Sequence, residues 1–254
     1  PAWAQDDDDD EIFELSPFQV DGSKDQGYRA ENTLAGSRLS TKISDLASSI
    51  TVVTAEQMED TASIDMNDVL RYEANTEGAS TYTEGVQSLR NDGVVDTNAG
   101  FTHGANGKTQ DHNTANRIRG IGRPGTTVNF YQSLTGVPFD SYNTSSVEIN
   151  RGPNSLLFGM GNPAGIVNQS TSRARLNKNS TKVSIRLDNR GSFRTGLNFN
   201  RSLIDDKLAF YGALLMDDRG FERKPSYDDT FRAYGAITYR PFEKTTISAS
   251  IEKY

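Results

Sequence analysis

Residues 146–173 encode two short extended segments separated by a corner that is rich in proline and glycine. Val147 and Ile149 alternate with polar residues, and this alternation predicts a half-buried strand. Within residues 152–159, a proline stands just inside the start of one helical turn and a glycine just past its end. An isoleucine and a valine at 166–167 then begin a second strand. The stretch therefore predicts strand, helical turn and strand in close succession.

Further elements are predicted upstream of this stretch. The β-branched run at residues 49–54 predicts a strand, and residues 54–57 have the Thr-x-x-Gln pattern of a capping box that opens a helix. Residues 63–74 predict a second helix, because a methionine, a valine and a leucine fall on one face. Residues 116–120 and 126–139 predict further strands.

Beyond Asn177, apolar residues recur at every second position, which predicts a sheet with one apolar face and one face of arginines, asparagines and serines. A half-buried sheet of a soluble protein gives the same period, so the period alone does not distinguish it from a membrane barrel. The lengths of the connections between strands help to separate the two. Three connections are short and the one at 217–229 is long, an alternation typical of outer-membrane barrels. The predicted strands lie near residues 181–188, 192–203, 207–217, 230–240 and 245–254.

Four motifs give the chain its resemblance to the TonB-dependent outer-membrane receptors. Residues 146–173 resemble the carboxy-terminal signature of the plug domain in that family, and residues 118–120 match its Ile-Arg-Gly. Residues 68–70 resemble its Asp-Val-Leu helix, and residues 134–138 stand where the family has Asp-Gly-Val-Pro, with Thr135 in place of the aspartate. The resemblance implies an α+β plug domain, a small mixed sheet with short helices, followed by antiparallel transmembrane β-strands of an incomplete β-barrel.

The expected organisation has four segments. Residues 1–4 are a signal-peptide remnant, because their Ala-Trp-Ala resembles the small-x-small end of a secretory signal. Residues 5–35 are a flexible leader that starts with a self-repelling acidic run, residues 36–175 are the plug domain, and residues 176–254 are the first barrel strands. A plugged transporter barrel has about 22 strands, so we expect this chain to be a fragment of a longer receptor.

A short apolar patch interrupts the polar leader, with apolar residues at period two on both sides of Pro17. The resemblance implies that this patch is the TonB box, a peptide that pairs with the energy-transducing protein TonB by adding as a strand to a sheet edge. The box residues are Phe13, Glu14, Leu15, Ser16, Pro17, Phe18, Gln19 and Val20.

The resemblance also implies roles for individual plug residues. In the family, plug arginines before a glycine pair with glutamates on the inner barrel wall, so Arg119 and Arg151 are expected to lock the plug in place. Contacts with the transported ligand are expected from Tyr82, Arg123 and Tyr142.

Several classes of function are disfavoured by the sequence. The net charge of −7 argues against nucleic acid as a partner, and the lack of cysteine excludes thiolate metal sites. His103 and His112 lie in a long polar loop, residues 76–114, without the spacing of a metal site, so we predict no metal and no cofactor. Residues 120–125 match G-x-G-x-x-G, but a strand rather than a helix is predicted to follow, so we reject nucleotide binding. No catalytic motif is present, and we predict that the protein is not an enzyme.

The function implied by the resemblance is active, TonB-dependent transport of a scarce ligand across the outer membrane, with the plug gating the pore and facing the periplasm. The expected partners are TonB, a ferric siderophore or similar small ligand, and outer-membrane lipid. Uptake of cobalamin or an oligosaccharide remains open. The alternative from another class is a structural or adhesive β protein, which would fold independently in water.

Overall fold

The computed structural model describes residues 27–33, 40–46, 48–76, 118–120, 124–132, 137–152, 163–220, 227–242 and 244–254. Within these ranges, the N-terminal domain contains two α-helices, two short 3-10 helices and several short strands. Its elements are β1 (Asn32–Thr33), β2 (Thr41–Lys42), β3 (Ser49–Thr54), α1 (Ala55–Asp60), α2 (Met66–Arg71), β4 (Gly125–Val128), β5 (Tyr131–Gln132), β6 (Thr144–Arg151) and β7 (Gly165–Thr171), with the 3-10 helices at Ile43–Asp45 and Ser141–Asn143.

A five-stranded mixed sheet forms the centre of this domain, in the order β3-β6-β7-β4-β5. β4 and β7 pair in parallel, and the other neighbours pair antiparallel. Both helices contribute side chains to one apolar core with the sheet: α1 through one residue, and α2 through apolar residues that recur at helical spacing on one face. The buried core consists of Val53, Met58, Met66, Val69, Leu70, Ile118, Phe139, Val147, Ile149, Ala164 and Val167.

Both predicted helices are present, and each begins at a side-chain cap. The Thr54 hydroxyl accepts a hydrogen bond from the Gln57 N–H at 3.2 Å, as the capping-box pattern predicts. α2 is shorter than the predicted 63–74, because the carboxylate of Asp65 caps it by accepting from the Asp68 N–H at 2.9 Å. Past the end of α2, Thr76 forms an isolated antiparallel bridge with Ile118.

The predicted strand at 126–139 is interrupted, which the sequence pattern did not indicate. β4 and β5 form a hairpin whose two-residue turn is Asn129 and Phe130, both with positive φ, at 51° and 66°. The turn is held from outside, since the Phe130 N–H donates to the Asn168 side chain at 2.7 Å and the Asn129 side chain contacts Thr171. These contacts with β7 stabilise a backbone conformation that phenylalanine rarely adopts.

The second unit, the C-terminal sheet, is a meander of five long antiparallel strands. They are β8 (Ser180–Leu187), β9 (Phe193–Ile204), β10 (Leu208–Gly220), β11 (Tyr227–Phe242) and β12 (Thr245–Lys253), in the order β12-β11-β10-β9-β8. The five predicted strands are confirmed. The connection predicted at 217–229 is shorter than expected, because β10 and β11 continue to pair as far as Gly220 and Tyr227. β8 and β12 each have one neighbour, so the sheet does not close.

The predicted alternation gives the C-terminal sheet two different faces. One face is apolar and exposed; it carries Val183, Ile185, Leu187, Phe193, Leu214, Met216, Phe231, Ile237, Ile247 and Ile251. The other face packs on the N-terminal domain and buries small or polar residues, including Ala213, Arg194 and Arg232. Among the described residues, no helix has the length and apolar character needed to cross a membrane.

Candidate functional site

The contact between the two units is centred on Asp140, which follows the buried core residue Phe139. The Asp140 carboxylate caps the second 3-10 helix by accepting from the Tyr142 N–H at 2.9 Å, and its carbonyl accepts from the Thr144 hydroxyl at 2.7 Å. An aspartate at such a cap is favoured because it satisfies a free backbone donor. These bonds fix the carboxylate at the surface that faces the C-terminal sheet.

Two arginines from the C-terminal sheet reach this carboxylate. Arg194 of β9 makes a two-point contact, with Nη2–Oδ1 at 2.5 Å and Nη1–Oδ2 at 3.1 Å. Arg232 of β11 lies farther away, at 3.8 Å from Oδ2, and donates to the Pro138 carbonyl at 2.5 Å. Both guanidinium groups are almost fully buried, so their charges depend on protein partners rather than on water.

Each of these arginines also has a carboxylate on its own sheet. Asp217 of β10 lies 2.7 Å from Nη1 of Arg194, the nitrogen that also contacts Oδ2 of Asp140. Glu252 of β12 lies 3.6 Å from Nε of Arg232. We call Asp140, Arg194, Asp217, Arg232 and Glu252 the interface charge cluster.

Tyr142 lies beside this cluster at the boundary between the two units. Its hydroxyl donates to Glu252 at 2.8 Å, and the Arg232 guanidinium lies 5.5 Å from the centre of its ring. Burial raises the pKa of the phenol well above its ordinary value, and the charge of Glu252 raises that pKa further, so the group remains a hydrogen-bond donor. Its ring packs with the apolar side of the sheet contact, formed by Ala213, Leu215, Tyr234 and Ala236.

A second set of contacts between the units is exposed. Lys182 of β8 forms an ion pair with Glu59 of α1, and the Arg186 guanidinium donates to the Ala62 carbonyl at 2.6 Å. Both contacts lie in solvent, where ion pairs contribute about 0–1 kcal/mol. The interface charge cluster differs from this exposed set because its two arginines are almost fully buried.

The two predicted lock arginines line one polar cavity of about 740 Å³ in the N-terminal domain, together with Ser49, Asn75, Thr76 and Gly120. Arg151 is buried and bonds within its own domain, to the Ala74 carbonyl at 3.0 Å, the Thr51 hydroxyl at 2.6 Å and the Glu73 carboxylate at 3.2 Å. Arg119 has a positive φ of 58°, and its N–H donates to the Asn75 carbonyl at 2.8 Å. The described contacts of Arg151 thus hold the domain together, and pairing with barrel-wall glutamates stays a prediction.

Of the other predicted site residues, one lies in the described ranges and the rest lie outside them. Tyr142 is 7% exposed and committed to the contact with the C-terminal sheet; a ligand contact for it stays a prediction. The residues outside the described ranges are Phe13, Glu14, Leu15, Ser16, Pro17, Phe18, Gln19, Val20, Tyr82, Arg123, His103 and His112. In the described ranges, no cluster of three His, Asp or Glu side chains could hold a metal ion.

The sequence prediction missed the interface charge cluster. The available signal was the alternation itself, because Arg194, Asp217 and Arg232 all fall on the polar face of their strands. Long charged side chains on the inward face of a sheet indicate that another charged surface covers it.

Residues 27–33, predicted as the end of a flexible leader, are instead packed on the N-terminal domain. The Thr33 hydroxyl donates to the Glu148 carboxylate at 2.8 Å, and the Thr54 hydroxyl donates to the Gly27 carbonyl at 2.8 Å. Tyr28 donates to Asp60 at 2.8 Å on the surface. We call these three hydrogen bonds the leader clasp. The folded part of the chain therefore starts earlier than the predicted boundary at residue 36.

Comparison with known proteins relates the N-terminal domain to a family model and most of the chain to a curated relative. The family model for the TonB-dependent receptor plug domain matches residues 42–166. The ferrichrome outer membrane transporter/phage receptor of Escherichia coli (strain K12) is 29% identical over 220 residues, which are 86% of this chain and 27% of that protein. The chain thus spans about a quarter of the length of this curated relative.

Solved structures of low sequence identity have the same fold. The pyoverdine outer membrane receptor FpvA from Pseudomonas aeruginosa PAO1 superposes with a TM-score of 0.69 at 16% identity, over 91% of this chain and 31% of that one. The alcaligin outer membrane receptor FauA from Bordetella pertussis gives a TM-score of 0.68 at 17% identity, over 89% and 35% of the two chains. In both cases the covered share of this chain is large enough to include residues of both units.

Proposed function

We propose that this chain, whose residues 42–166 match the plug domain of the TonB-dependent receptors, is part of such a receptor and serves the active uptake of a ferric siderophore across the outer membrane. The observation that supports this proposal is the two-faced C-terminal sheet. Its apolar face is exposed, as lipid contact requires, and its polar face is covered by the plug domain. In a closed barrel of the kind expected for this family, the plug would block the space that the strands enclose, and transport would require the plug to move or rearrange.

The proposed substrate class is supported by the relatives. The relatives are named as receptors or transporters for ferrichrome, pyoverdine and alcaligin, and each of these ligands belongs to the relative that carries its name. We extend the class, a ferric siderophore, to this chain. Uptake of cobalamin or an oligosaccharide is the second possibility, and the plug-domain match favours transport over the structural or adhesive alternative. The same match favours gated binding over enzymatic chemistry.

The proposed energy coupling runs through the leader. Residues 13–20 would pair with TonB as an added strand, and a pull on them would reach the plug domain first at the leader clasp. In this proposal the plug faces the periplasm, where TonB can reach the box. Arg119 and Arg151 would contribute to plug locking, and Tyr82, Arg123 and Tyr142 to ligand contact.

Radioiron uptake tests the proposal. Cells without other siderophore receptors would express the full-length protein and receive labelled ferrichrome, ferripyoverdine or a ferric catecholate. We expect uptake of at least one complex that depends on TonB, and loss of uptake but not of binding when residues 12–20 are deleted. Uptake of none of the complexes, together with TonB-dependent uptake of cobalamin or an oligosaccharide, would overturn the siderophore assignment. Uptake that survives the deletion would overturn the box assignment.

A further inference from the structure

We propose that the plug carboxylate of Asp140 and the sheet carboxylate of Asp217 compete for Arg194 as a shared partner. Because of this competition, the plug can leave its contact with the C-terminal sheet, which we call its seat, without leaving a buried charge unpaired. Asp140 and Asp217 approach Nη1 of Arg194 at 3.1 and 2.7 Å, so one nitrogen contacts both carboxylates at once. The second nitrogen, Nη2, contacts Asp140 alone, at 2.5 Å. This inference concerns the seat of the plug and rests on the proposed function only where it refers to release during transport.

The charges on the sheet side of the interface charge cluster balance without the plug. Arg194 and Arg232 carry two positive charges, and Asp217 and Glu252 carry two negative ones. Asp140 is the fifth charge and the one contributed by the plug domain. A buried arginine that loses its last carboxylate is strongly destabilised. Asp217 prevents that outcome for Arg194, because it stays on the same sheet when the plug moves.

The plug side is also prepared for separation. The Asp140 carboxylate accepts from the Tyr142 N–H within its own domain, so it keeps one hydrogen bond when Arg194 is withdrawn. Water that enters the gap would hydrate its remaining lone pairs. Both partners thus retain an interaction in the separated state, which lowers the free energy of separation relative to that of an isolated buried ion pair.

Competition for Arg194 predicts opposite effects for two similar substitutions. Asp140→Asn removes the plug charge and should loosen the seat. Asp217→Asn removes the competitor, leaves Arg194 dependent on Asp140, and should tighten the seat. If the cluster were only a static support, both substitutions would loosen it, because each removes a buried charge pair.

A single cysteine on the inner face can report plug seating in the full-length protein. Ala213 is fully buried against Tyr142, and this chain has no cysteine of its own. Ala213→Cys should react with a water-soluble maleimide when the plug lifts. The labelling rate in isolated outer membranes requires neither ligand nor TonB. Labelling rates opposite to those expected would therefore overturn the shared-partner proposal alone, whereas a lack of radioiron uptake would overturn the proposed function.

In the Ala213→Cys background, we expect Asp140→Asn to raise the labelling rate about tenfold or more. Loss of one partner of a buried ion pair can change the equilibrium between the packed and the separated plug by one to several factors of ten. Asp217→Asn should lower the rate, and this slowing should vanish when Asp140→Asn is also present. Asp218→Asn is the matched control, because it makes the same change one position along β10, on the opposite face. It should leave the rate unchanged.

Faster or unchanged labelling in Asp217→Asn would overturn the proposal. If that variant does not assemble in the membrane, Glu252→Gln provides a second arm. The amide still accepts from the Tyr142 hydroxyl, but it no longer neutralises Arg232, which should then hold Asp140 more tightly. Slower labelling in this arm supports competition for the plug carboxylate, and faster labelling contradicts it.

Discussion

Thr33 and Glu148 are joined by a buried hydrogen bond of 2.8 Å although they lie 115 positions apart in the chain. Thr33 is fully buried and Glu148 is 2% exposed. Glu148 belongs to β6, the strand next to β3 in the central sheet, so this bond connects the beginning of the folded chain to the middle of the plug domain. A pull on the leader would act on the sheet through this contact.

Replacement of Thr33 by valine should loosen the leader clasp. The shape of the side chain is kept, but the buried Glu148 carboxylate loses this one donor, a change that costs about 1–3 kcal/mol. We expect faster hydrogen exchange in residues 27–33 of the full-length protein, measured by mass spectrometry. Ser44→Ala is the control, because it removes an exposed local bond to Asp45 and should change little. Equal protection in Thr33→Val and the parent would show that the bond does not hold the clasp.

Replacement of Arg151 by methionine should destabilise the plug domain itself. The substitution removes three bonds within the domain and leaves the buried Glu73 carboxylate without this partner, a loss of about 3 kcal/mol or more. The loss of stability would be measured by denaturant unfolding of the plug domain, with hydrogen exchange as the method of detection. Arg71→Met is the control, since Arg71 forms an exposed pair with Asp68 at 3.8 Å, worth less than about 1 kcal/mol.

The same variants bear on the predicted lock. If Arg151 also pairs with the barrel wall in the full-length protein, Arg119→Ala combined with Arg151→Ala should alter plug release and transport. Release and transport that remain unchanged in this double variant would remove the lock hypothesis and leave Arg151 as a support inside the plug.

Replacement of Gly165 by alanine should be among the most damaging small changes. Gly165 has a φ of +127°, and a Cβ there would lie 2.1 Å from the Asn150 carbonyl oxygen, so β6 and β7 would have to separate. We expect a loss of about 4 kcal/mol or more, or failure to assemble. Gly191→Ala is the matched control, because its φ is also positive, at +86°, but the space around it is open. It should cost about 1–2 kcal/mol. Similar losses for the two variants would contradict the steric argument.

Replacement of Asp68 by asparagine should stabilise the plug domain near neutral pH. Burial is the main cause that raises the pKa of this carboxyl, and the charge of Asp65 adds to it. A raised folded-state pKa means that the proton is bound more tightly in the fold, so the contribution to stability is present at low pH and lost as the pH rises through that pKa. The free energy of unfolding of the variant should exceed that of the parent at about pH 7, and this difference should vanish by about pH 3. Denaturant unfolding at both pH values measures the difference, and an advantage that grows on acidification would contradict the assignment.

Local sequence patterns predicted most of the fold because the features concerned are local. Period-two alternation located β8 to β12, and the capping residue Thr54 located the start of α1. The turn at Asn129 and Phe130 was not predictable in the same way, since its unusual backbone depends on β7, about forty residues later in the chain.

The site was less predictable than the fold because its partners are distant in sequence. Alternation places Arg194 and Arg232 on the inner face, but it does not say which carboxylate they meet. Asp140 also has a local role, since its carboxylate caps a short helical turn of its own domain. Its second role depends on how two separate units pack, for which a single sequence carries no periodic signal.

The bridge between Thr76 and Ile118 has a consequence for engineering and for evolution. The entropy of closing a chain segment between two paired residues rises slowly with the length of the segment. A change in the number of residues between Thr76 and Ile118 should therefore cost the bridge little free energy, and the core around the buried Ile118 should tolerate it.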